Sequence, residues 1–230
     1  MTWVTEGRRM SMFSRLYAAG YDRWMARLDR RGGEDHRRRL VGDADGDVLE
    51  IGAGTGMSFP HYRKAARVVA LEPDPGMRAR AERRAGRGAV PVEVIDGDGM
   101  KLSFADGSFD TVIFGLVLCT IPDPDRALSE ARRVLRPGGH LRFYEHVRSP
   151  DPTVARSQDR YERPWRWFGR GCHCNRDTPA AIERAGFEVS VLDRFDMPGV
   201  PRIVRPHAEG VARPTNSVGG STDSGVARST

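Results

Sequence analysis

Residues 48–56 of the chain are Val-Leu-Glu-Ile-Gly-Ala-Gly-Thr-Gly, an apolar run that leads into three alternating glycines. Such a run is typical of a buried parallel strand, and glycines let the backbone turn sharply and approach a ligand closely. The next residues, 57–64, are predicted to form a helix whose amino end would offer unpaired N–H groups to an anion. The stretch therefore predicts a strand, a ligand-binding loop and a helix, with a nucleotide-like cofactor held at the loop.

The same alternation of short apolar runs and helical stretches continues along the chain, as in βαβ units. The predicted strands are 47–51, 67–71, 92–95, 110–116, 140–145, 188–192 and 203–211, and the predicted helices are 57–64, 75–85, 124–135 and 178–185. Pro137-Gly138-Gly139 should end the third of the long helices and lead into the next strand. We expect an α/β domain over residues 41–213: a Rossmann-like, doubly wound, mostly parallel seven-stranded sheet in three α/β/α layers.

The two ends of the chain differ from this body. Between residues 13 and 28, apolar side chains recur every three or four positions, which predicts an amphipathic helix. Residues 1–40 also carry ten arginines against five acids, so we interpret them as a basic helical cap. A helix packed on the core and a helix lying on a membrane surface both fit this pattern. Residues 214–230 offer almost nothing to bury and are predicted to be a disordered tail.

Composition narrows the classes of function. Hydrophobic residues make up 39% of the 230 residues, and the net charge of +6 comes almost entirely from residues 1–40, so we expect no nucleic-acid partner. The longest apolar run has ten residues, 112–121, whereas a bilayer crossing needs about 20. Residues 1–15 lack the apolar stretch of a secretory signal, and three cysteines give no legible disulfide framework. We therefore expect a cytoplasmic protein, with peripheral membrane contact through the basic helix left open and the oligomeric state unknown.

The spacing of the glycines separates two cofactor classes. A dinucleotide-binding loop has the pattern G-x-G-x-x-G, which would place the third glycine at the position of Met57. The observed G-x-G-x-G, with Glu50 two residues ahead of it, resembles motif I of the class I S-adenosylmethionine-dependent methyltransferases. Residues 96–100 with 108–110, and the turn at 135–139, are similar to two later blocks of that class. An NAD-linked reductase is the alternative enzyme, and a membrane-surface binding module is the non-catalytic alternative.

The resemblance implies S-adenosylmethionine as the cofactor and assigns residues to it. Glu72 ends the second strand, where its carboxylate would accept hydrogen bonds from the ribose hydroxyls. Asp98, after the third strand, would accept one from the adenine amino group. The full implied cofactor-binding set is Glu50, Gly52, Ala53, Gly54, Gly56, Glu72, Pro73, Asp98, Gly99 and Met100.

Further motifs are similar to the methyltransferase-like seven branch of that class, whose members methylate thiols. They lie at residues 116–119, 144–147, 171–173, 176–178 and 204–207. A more general resemblance links the chain to quinone-biosynthesis C-methyltransferases. The implied substrate is a small, lipophilic acceptor, with a thiol favoured, and a quinone or phenol methylated at carbon or oxygen is the alternative.

Methyl transfer from a sulfonium is a direct displacement that depends mainly on alignment. A thiol acceptor is partly ionised near neutral pH, so a strong base is optional. For a carbon or hydroxyl acceptor, His146 just past the fifth strand is the candidate base. It is the one catalytic residue that we predict.

Five side chains are predicted to surround the acceptor: Tyr21, Cys119, Trp165, Trp167 and His173. Both tryptophans fall in residues 151–176, a connection long enough to form an aromatic cap over the pocket. Tyr21 would close the first helix over the cofactor, and Cys119 is interpreted as a small pocket wall in preference to a nucleophile. Residues 172–174, Cys-His-Cys, suggest a metal, but no second pair of ligands lies nearby in the sequence, so we predict none.

Overall fold

A single seven-stranded sheet organises the computed structural model, which describes residues 12–215. The strands are β1 (Asp45–Ile51), β2 (Lys64–Leu71), β3 (Val92–Ile95), β4 (Phe109–Gly115), β5 (Leu135–His146), β6 (Phe187–Asp196) and β7 (Pro206–Pro214). The α-helices are α1 (Met12–Leu28), α2 (Glu34–Gly42), α3 (Pro75–Ala85), α4 (Pro124–Val134), α5 (Pro152–Phe168) and α6 (Thr178–Arg184).

The strand order is β3-β2-β1-β4-β5-β7-β6, with β7 antiparallel to both of its neighbours. The chain leaves β1 toward β2 on one side and later returns to β4 on the other side. Open α/β sheets bind ligands at such a reversal, outside the carboxyl ends of the strands. The expected mostly parallel seven-stranded sheet is confirmed, and its topology points to the loops after β1 and β4.

Apolar side chains cover both faces of the sheet. Leu49 and Ile51 of β1 pack with α4 and α6 on one face, whereas Val48 packs on the other face in a cluster that α1, α2 and α3 help to form. This alternation follows from the period of two along a strand. It produces the three expected layers and buries the centre of the sheet on both sides.

Several helices begin with the same local signal, an aspartate followed by proline. Asp74, Asp123 and Asp151 each accept backbone N–H bonds at the start of α3, α4 and α5, and each is followed by a proline in the first turn. The aspartate satisfies donors that a helix leaves unpaired, and proline lacks the N–H that would have needed a partner. The predicted insert 151–176 is consequently a 17-residue helix, α5, with a short loop after it.

The helix predicted over 57–64 is wrong. That segment forms turns and a short 3-10 helix, Phe59–His61, and Tyr62 is already extended. Pro60 disfavours the helical conformation of the residue before it, and the side chains of Phe59 and Tyr62 are fully buried. The glycine loop is therefore followed by an anchored turn, not by the helix amino end that the sequence predicted.

Near the start of the described residues, the amphipathic helix predicted between residues 13 and 28 is confirmed as α1, Met12–Leu28. After a break at Asp29–Gly33, where Gly32 has a φ of 108°, the chain forms a second helix, α2, which was not predicted. At the other end, β7 runs through Pro214, the first residue of the tail predicted over 214–230. Residues 216–230 of that tail lie outside the described part of the chain, as do residues 1–11. Within 12–215, no helix combines the length and apolar character that a bilayer crossing requires.

Candidate active site

The glycine loop after β1 turns through three left-handed residues. Gly52, Gly54 and Gly56 have φ values of 73°, 59° and 78°, a region that other residues enter at a cost. A Cβ at Gly52 would lie 2.3 Å from the side chain of Val117, and one at Gly56 would lie 2.5 Å from that of Phe59. These two glycines are thus required by packing within the protein.

Gly54 differs from the other two glycines because space remains above it. The nearest atom to a Cβ built there is Tyr21 Cε1 of α1, at 4.0 Å. Its neighbour Ala53 is buried, and the N–H of Ala53 donates to Leu71 O over 3.1 Å. The loop therefore forms a cradle with Tyr21 above it, where a ligand can approach the backbone.

Glu72 closes this cradle from the end of β2. Its carboxylate accepts hydrogen bonds from the N–H groups of Gly54 and Asp74, each over 2.8 Å, across the intervening Pro73. Burial raises its pKa to about 7, against these two bonds, which lower it. The charge of Glu72, beside the glycine loop, therefore changes with pH near neutrality.

Glu50 lies on β1, two residues ahead of Gly52, the first glycine of the loop. It is 3% exposed and accepts a hydrogen bond of 2.9 Å from the Tyr62 hydroxyl. Burial raises the pKa of this carboxyl to about 7 as well. Tyr62 is a partner that the sequence did not indicate, because the predicted helix 57–64 would have pointed it elsewhere.

Asp98 lies in the loop after β3. Its Oδ1 accepts the N–H of Met100 over 2.9 Å, an arrangement typical of aspartate in a turn. A Cβ at Gly99 would lie 2.7 Å from Ile51 Cγ2, so this loop packs directly on the end of β1. The structure thus brings Asp98, Gly99 and Met100 to the same edge of the sheet as the glycine loop.

Helix α1 is tied to this edge. Ser14 donates to Asp74 Oδ1 over 2.6 Å and accepts the N–H of Gly76 at the start of α3. Arg170, in the loop after α5, lies 4.0 Å above the ring of Tyr17 and 3.4 Å from Asp74 Oδ2. The first helix and the loop after α5 therefore meet over the end of β2.

Glu145 holds the turn that follows β4. Its carboxylate, fully buried, accepts the N–H groups of Val117 and Leu118 over 2.8 Å each and that of Cys119 at 3.4 Å. Burial raises the pKa of Glu145 well above its usual value. This contact positions Val117 against Gly52 and fixes Cys119 at the carboxyl end of β4.

His146, the last residue of β5, contacts a cysteine from a distant segment. Its Nε2 lies 2.8 Å from Cys172 Sγ, and Cys119 Sγ completes a group of three ligand atoms within 4.8 Å of one another. The pKa of the Cys119 thiol is held well below its usual value by its interactions with Cys172 and His146. The pKa of the Cys172 thiol is raised by its interaction with Cys119 and by burial. His146 Nδ1 is buried without a hydrogen-bond partner among the described residues.

The Cys-His-Cys run splits among three environments. Only Cys172 reaches His146; the ring of His173 lies 2.8 Å from Glu162 Oε1, and Cys174 Sγ faces the carbonyl oxygen of Gln158 at 3.6 Å. The backbone N–H of His173 donates to Cys119 O over 2.8 Å. The backbone of His173 thus holds its loop on the turn after β4, and its side chain is engaged away from Cys172.

The two predicted cap tryptophans differ in position. Trp165 is half-buried, and its Nε1 donates to Cys172 Sγ over 3.1 Å. Trp167 is 85% exposed on α5, so the structure does not bring it to the site and the prediction for this residue is not supported. The indole spacing in sequence could not decide which side of α5 faces inward.

The arrangement has two edges with different chemistry. One edge, formed by the loops after β1, β2 and β3, offers glycine backbone, a tunable carboxylate and an acidic loop, and it fits an adenosyl group by the open space at Gly54 and the position of Glu72. The other edge, after β4 and β5, offers two sulfurs and an imidazole. Val117 and Gly52, in contact, join the two edges.

Sequence reasoning missed the residues that act through side-chain reach across the fold. They are Glu145, Arg170, Ser14 and Tyr62, together with Cys172 as the partner of His146. Their partners are separated by up to 96 residues in the chain. No local pattern marks such pairs.

Comparison with known proteins agrees with this geometry. The family model described as a methyltransferase domain matches residues 49–143. Thiol S-methyltransferase TMT1B of Homo sapiens is 39% identical over 171 residues, which are 72% of this chain and 69% of the relative. A demethylmenaquinone methyltransferase of Thermobifida fusca is 41% identical over 111 residues, 47% of each chain.

The solved structures agree in fold. A SAM-dependent methyltransferase from Thermotoga maritima superposes with a TM-score of 0.63 at 23% identity and covers 87% of this chain and 98% of its own. The methyltransferase family model and the methyltransferase relatives support S-adenosylmethionine, the cofactor that the motifs implied. The chain belongs to the S-adenosylmethionine-dependent methyltransferases, in the family that includes the thiol S-methyltransferases.

Proposed function

We propose that this methyltransferase acts on the sulfur of a small, lipophilic thiol. The observation that carries the proposal is the similarity to a thiol S-methyltransferase over more than two thirds of both chains. At the sulfur- and imidazole-containing edge beside the glycine loop, His146 Nε2 contacts Cys172 Sγ and its Nδ1 has no carboxylate partner among the described residues. This is compatible with a thiol acceptor, which does not need a strong general base. The half-buried indole of Trp165 adds apolar surface at that edge.

The residues of the chain would mainly align the reactants. S-adenosylmethionine, when bound, supplies a methyl group on a positively charged sulfur. The glycine loop, Glu72 and Asp98 would hold the adenosyl part, and Tyr21 would cover it from α1. Orientation of this kind reaches effective molarities of about 10⁵ M or more, which suffices for an acceptor that ionises near neutral pH.

The roles of His146 and of the acceptor-side residues stay predictions. A base at His146 would matter most for a quinone or phenol, the second candidate class, which is favoured by the similarity to the demethylmenaquinone methyltransferase. A thiol ionises without such help.

The test is transfer of a radiolabelled methyl group to matched acceptors. Benzenethiol and phenol share a ring and differ in the reacting atom, and a demethylated quinone and an aromatic amine complete the panel. We expect labelled methyl phenyl sulfide and little product from the other three. Product from the quinone alone would favour the C-methyltransferase, and no product from any of the four would refute the proposed substrate class.

Peripheral membrane contact and a cytoplasmic location are also proposals. Met12 and Leu16 on α1 are 77% and 66% exposed, and Trp167 and Phe168 at the end of α5 are 85% and 77% exposed. Exposed apolar side chains beside a basic helix suit a membrane surface. Co-sedimentation with anionic vesicles at low and high salt tests this, because binding led by arginines should fall with salt.

A further inference from the structure

Two cysteine sulfurs and one histidine nitrogen from three separate segments meet at the edge of the sheet after β4 and β5, where the acceptor is proposed to bind. Cys119 Sγ follows β4, His146 Nε2 ends β5, and Cys172 Sγ lies in the loop after α5. All three atoms lie within 4.8 Å of one another, and Cys119 and His146 are 2% and 7% exposed. The sequence predicted no metal because it considered residues 172–174 as a set, and two of those three lie outside this cluster.

Two thiolates and one imidazole are a donor set that binds zinc. Catalytic zinc sites use three protein ligands and keep the fourth tetrahedral position open. With zinc–sulfur and zinc–nitrogen distances of about 2.3 and 2.0 Å, neighbouring ligand atoms lie about 3.5–3.8 Å apart. The pair of His146 Nε2 and Cys172 Sγ, now at 2.8 Å, would need to open by less than about 1 Å.

Charge and hydrogen bonding at the cluster also suit a cation. Two thiolates cancel the charge of a divalent ion, so the ion and its three protein ligands are together neutral, and burying them is less costly than burying an isolated charge. Trp165 Nε1–H donates to Cys172 Sγ over 3.1 Å and stabilises negative charge on that sulfur. Glu145 fixes the backbone at Cys119 through three N–H bonds.

The cluster adjoins the cofactor loop. Cys119 is two residues from Val117, whose side chain lies against Gly52. The N–H of His173 binds Cys119 O, which holds the loop carrying Cys172 on the turn after β4. An ion at the cluster would therefore lie on the side of the site from which an acceptor meets the methyl group.

We propose that Cys119, His146 and Cys172 form a zinc site whose fourth position takes the sulfur of the acceptor thiol. The second half of this statement rests on the proposed thiol methyltransferase function; the zinc site itself does not. Coordination to zinc deprotonates a thiol, so it supplies the ionised acceptor without a general base.

The step balances as follows. The acceptor R–SH displaces zinc-bound hydroxide, giving zinc-bound R–S⁻ and water. A lone pair of that sulfur forms the new S–CH₃ bond, and the electron pair of the breaking C–S bond stays on the sulfur of S-adenosylhomocysteine. The thioether R–S–CH₃ leaves zinc, and a water takes its place and loses a proton, so one proton is released for each methyl group transferred.

The first experiment measures zinc in the full chain, purified without a histidine tag and with a phosphine reductant. We expect about one zinc per chain by mass spectrometry after incubation with Zn²⁺ and gel filtration, and at least a tenfold loss of bound zinc in Cys119→Ser and Cys172→Ser. Cys174→Ser is the matched control, because Cys174 is buried, as Cys119 is, and lies outside the cluster. Stabilisation of each variant by S-adenosylhomocysteine shows that it is folded. Zinc-free wild type, a Cys119–Cys172 disulfide in its place, or equal zinc loss in Cys174→Ser would overturn the zinc site.

The second experiment uses Co²⁺ in place of zinc, since its visible spectrum reports tetrahedral thiolate ligation. We expect intense bands that change when benzenethiol is added and stay unchanged with phenol. An unchanged spectrum with benzenethiol would overturn the open fourth position. The failure of this inference and the failure of the proposed function are distinguishable. Methylation of benzenethiol by zinc-free protein would refute the role of zinc and support the proposed function. A filled zinc site without thiol methylation would support the zinc site and refute the proposed function.

Discussion

Two edges of the site are built in different ways: the one proposed to hold the cofactor, called the cofactor edge, and the one proposed to hold the acceptor, called the acceptor edge. The cofactor edge consists of the loops after β1, β2 and β3, and most of its contacts involve backbone: three glycines with positive φ and two N–H groups on Glu72. The acceptor edge consists of the turn after β4, the end of β5 and the loop after α5. It depends on side chains that meet across the fold, such as His146 and Cys172, 26 residues apart.

This difference has a physical reason. The methyl donor is the same molecule in every member of such a family. A loop of fixed backbone geometry can hold it, and short sequence motifs encode such a loop. The acceptor varies, and its contacts come from helices and loops whose paths depend on packing. Substitutions at the cofactor edge should therefore remove binding of the methyl donor, whereas substitutions at the acceptor edge should alter turnover and leave donor binding intact.

The largest effect is expected from Gly52→Ala. A Cβ there would lie 2.3 Å from Val117 at a φ of 73°, so the left-handed strain and the clash together should lower the free energy of unfolding by about 3 kcal/mol. Because Val117 belongs to the turn that carries Cys119, both edges should suffer, with methyl transfer falling at least a hundredfold. Chemical denaturation and turnover measure the two effects.

Gly20→Ala is the matched control for this substitution. Gly20 lies within α1, and nothing comes within 4 Å of a Cβ built there. Alanine should raise the free energy of unfolding by about 0.5–1 kcal/mol, because glycine is unfavourable in a helix. If both alanine variants lost stability equally, the loop geometry would not be the cause.

Glu72→Gln should give the second largest effect, a loss of affinity for S-adenosylhomocysteine of about thirtyfold at pH 8, since an amide replaces a charged acceptor. In the wild type, only ionised Glu72 accepts both ribose hydroxyls. With its pKa at about 7, affinity should rise about tenfold between pH 6 and pH 8. The affinity of Glu72→Gln should stay flat over this range. Calorimetry at several pH values measures both, and a wild-type affinity independent of pH would contradict the proposed role.

Stability has the opposite dependence on pH at these carboxyls. Glu50 and Glu72 have folded-state pKa values of about 7, raised from 4.5, so the folded protein binds their protons more tightly than the unfolded chain does. The contribution of these two groups to the free energy of unfolding should therefore be greatest below about pH 4.5. As the pH rises to 7, each group should lower the free energy of unfolding by about 3 kcal/mol. Glu50→Gln should make the free energy of unfolding depend less steeply on pH. It should not change the pH dependence of cofactor affinity, because the Glu50 carboxylate is bonded to Tyr62.

The contrast between the edges also explains what the sequence could predict. The mostly parallel seven-stranded sheet followed from apolar runs and glycine spacing. Helix 75–85 was predicted with its observed bounds, since Asp74 and Pro75 mark its start locally. The helix predicted at 57–64 was wrong because burial of Phe59 and Tyr62 outweighs local propensity there. The second helix, α2, was not predicted, because two consecutive glycines, Gly32 and Gly33, are unfavourable in a helix. The chain resumes a helix directly after the break at these residues.

At the acceptor edge, prediction stopped at individual residues. Cys119, His146 and Trp165 were each singled out, but their meeting point on Cys172 depends on how α5 and its loop return to the sheet. Glu145 could be placed only at the end of a strand, and its three backbone contacts need the turn after β4 in three dimensions. Sequence spacing gives the elements, and tertiary packing gives the site.

Asp98→Asn sharpens the comparison within the cofactor edge. Asparagine can keep the bond from Met100 N to Oδ1, so the turn should survive, but its amide would present a donor to the adenine amino group. We expect about tenfold weaker binding of S-adenosylhomocysteine with an unchanged melting temperature. Asp96→Asn is the control in the same loop, since Asp96 pairs with Arg78 at 3.1 Å, and its affinity should equal that of the wild type. Equal losses in both variants would point to the charge of the loop and not to a specific contact.

The smallest effect is expected from Trp165→Phe, at the acceptor edge. Phenylalanine keeps an aromatic ring but removes the Nε1–H that donates to Cys172 Sγ. Loss of one such bond is worth about 0.5–1 kcal/mol, which corresponds to a two- to fivefold lower turnover with benzenethiol. Affinity for S-adenosylhomocysteine should not change, because no part of the cofactor edge is altered. Trp167→Phe is the matched control: its side chain is 85% exposed, so turnover should match that of the wild type. A loss of cofactor affinity in Trp165→Phe would show that the two edges are energetically coupled, since the substitution lies entirely on the acceptor side.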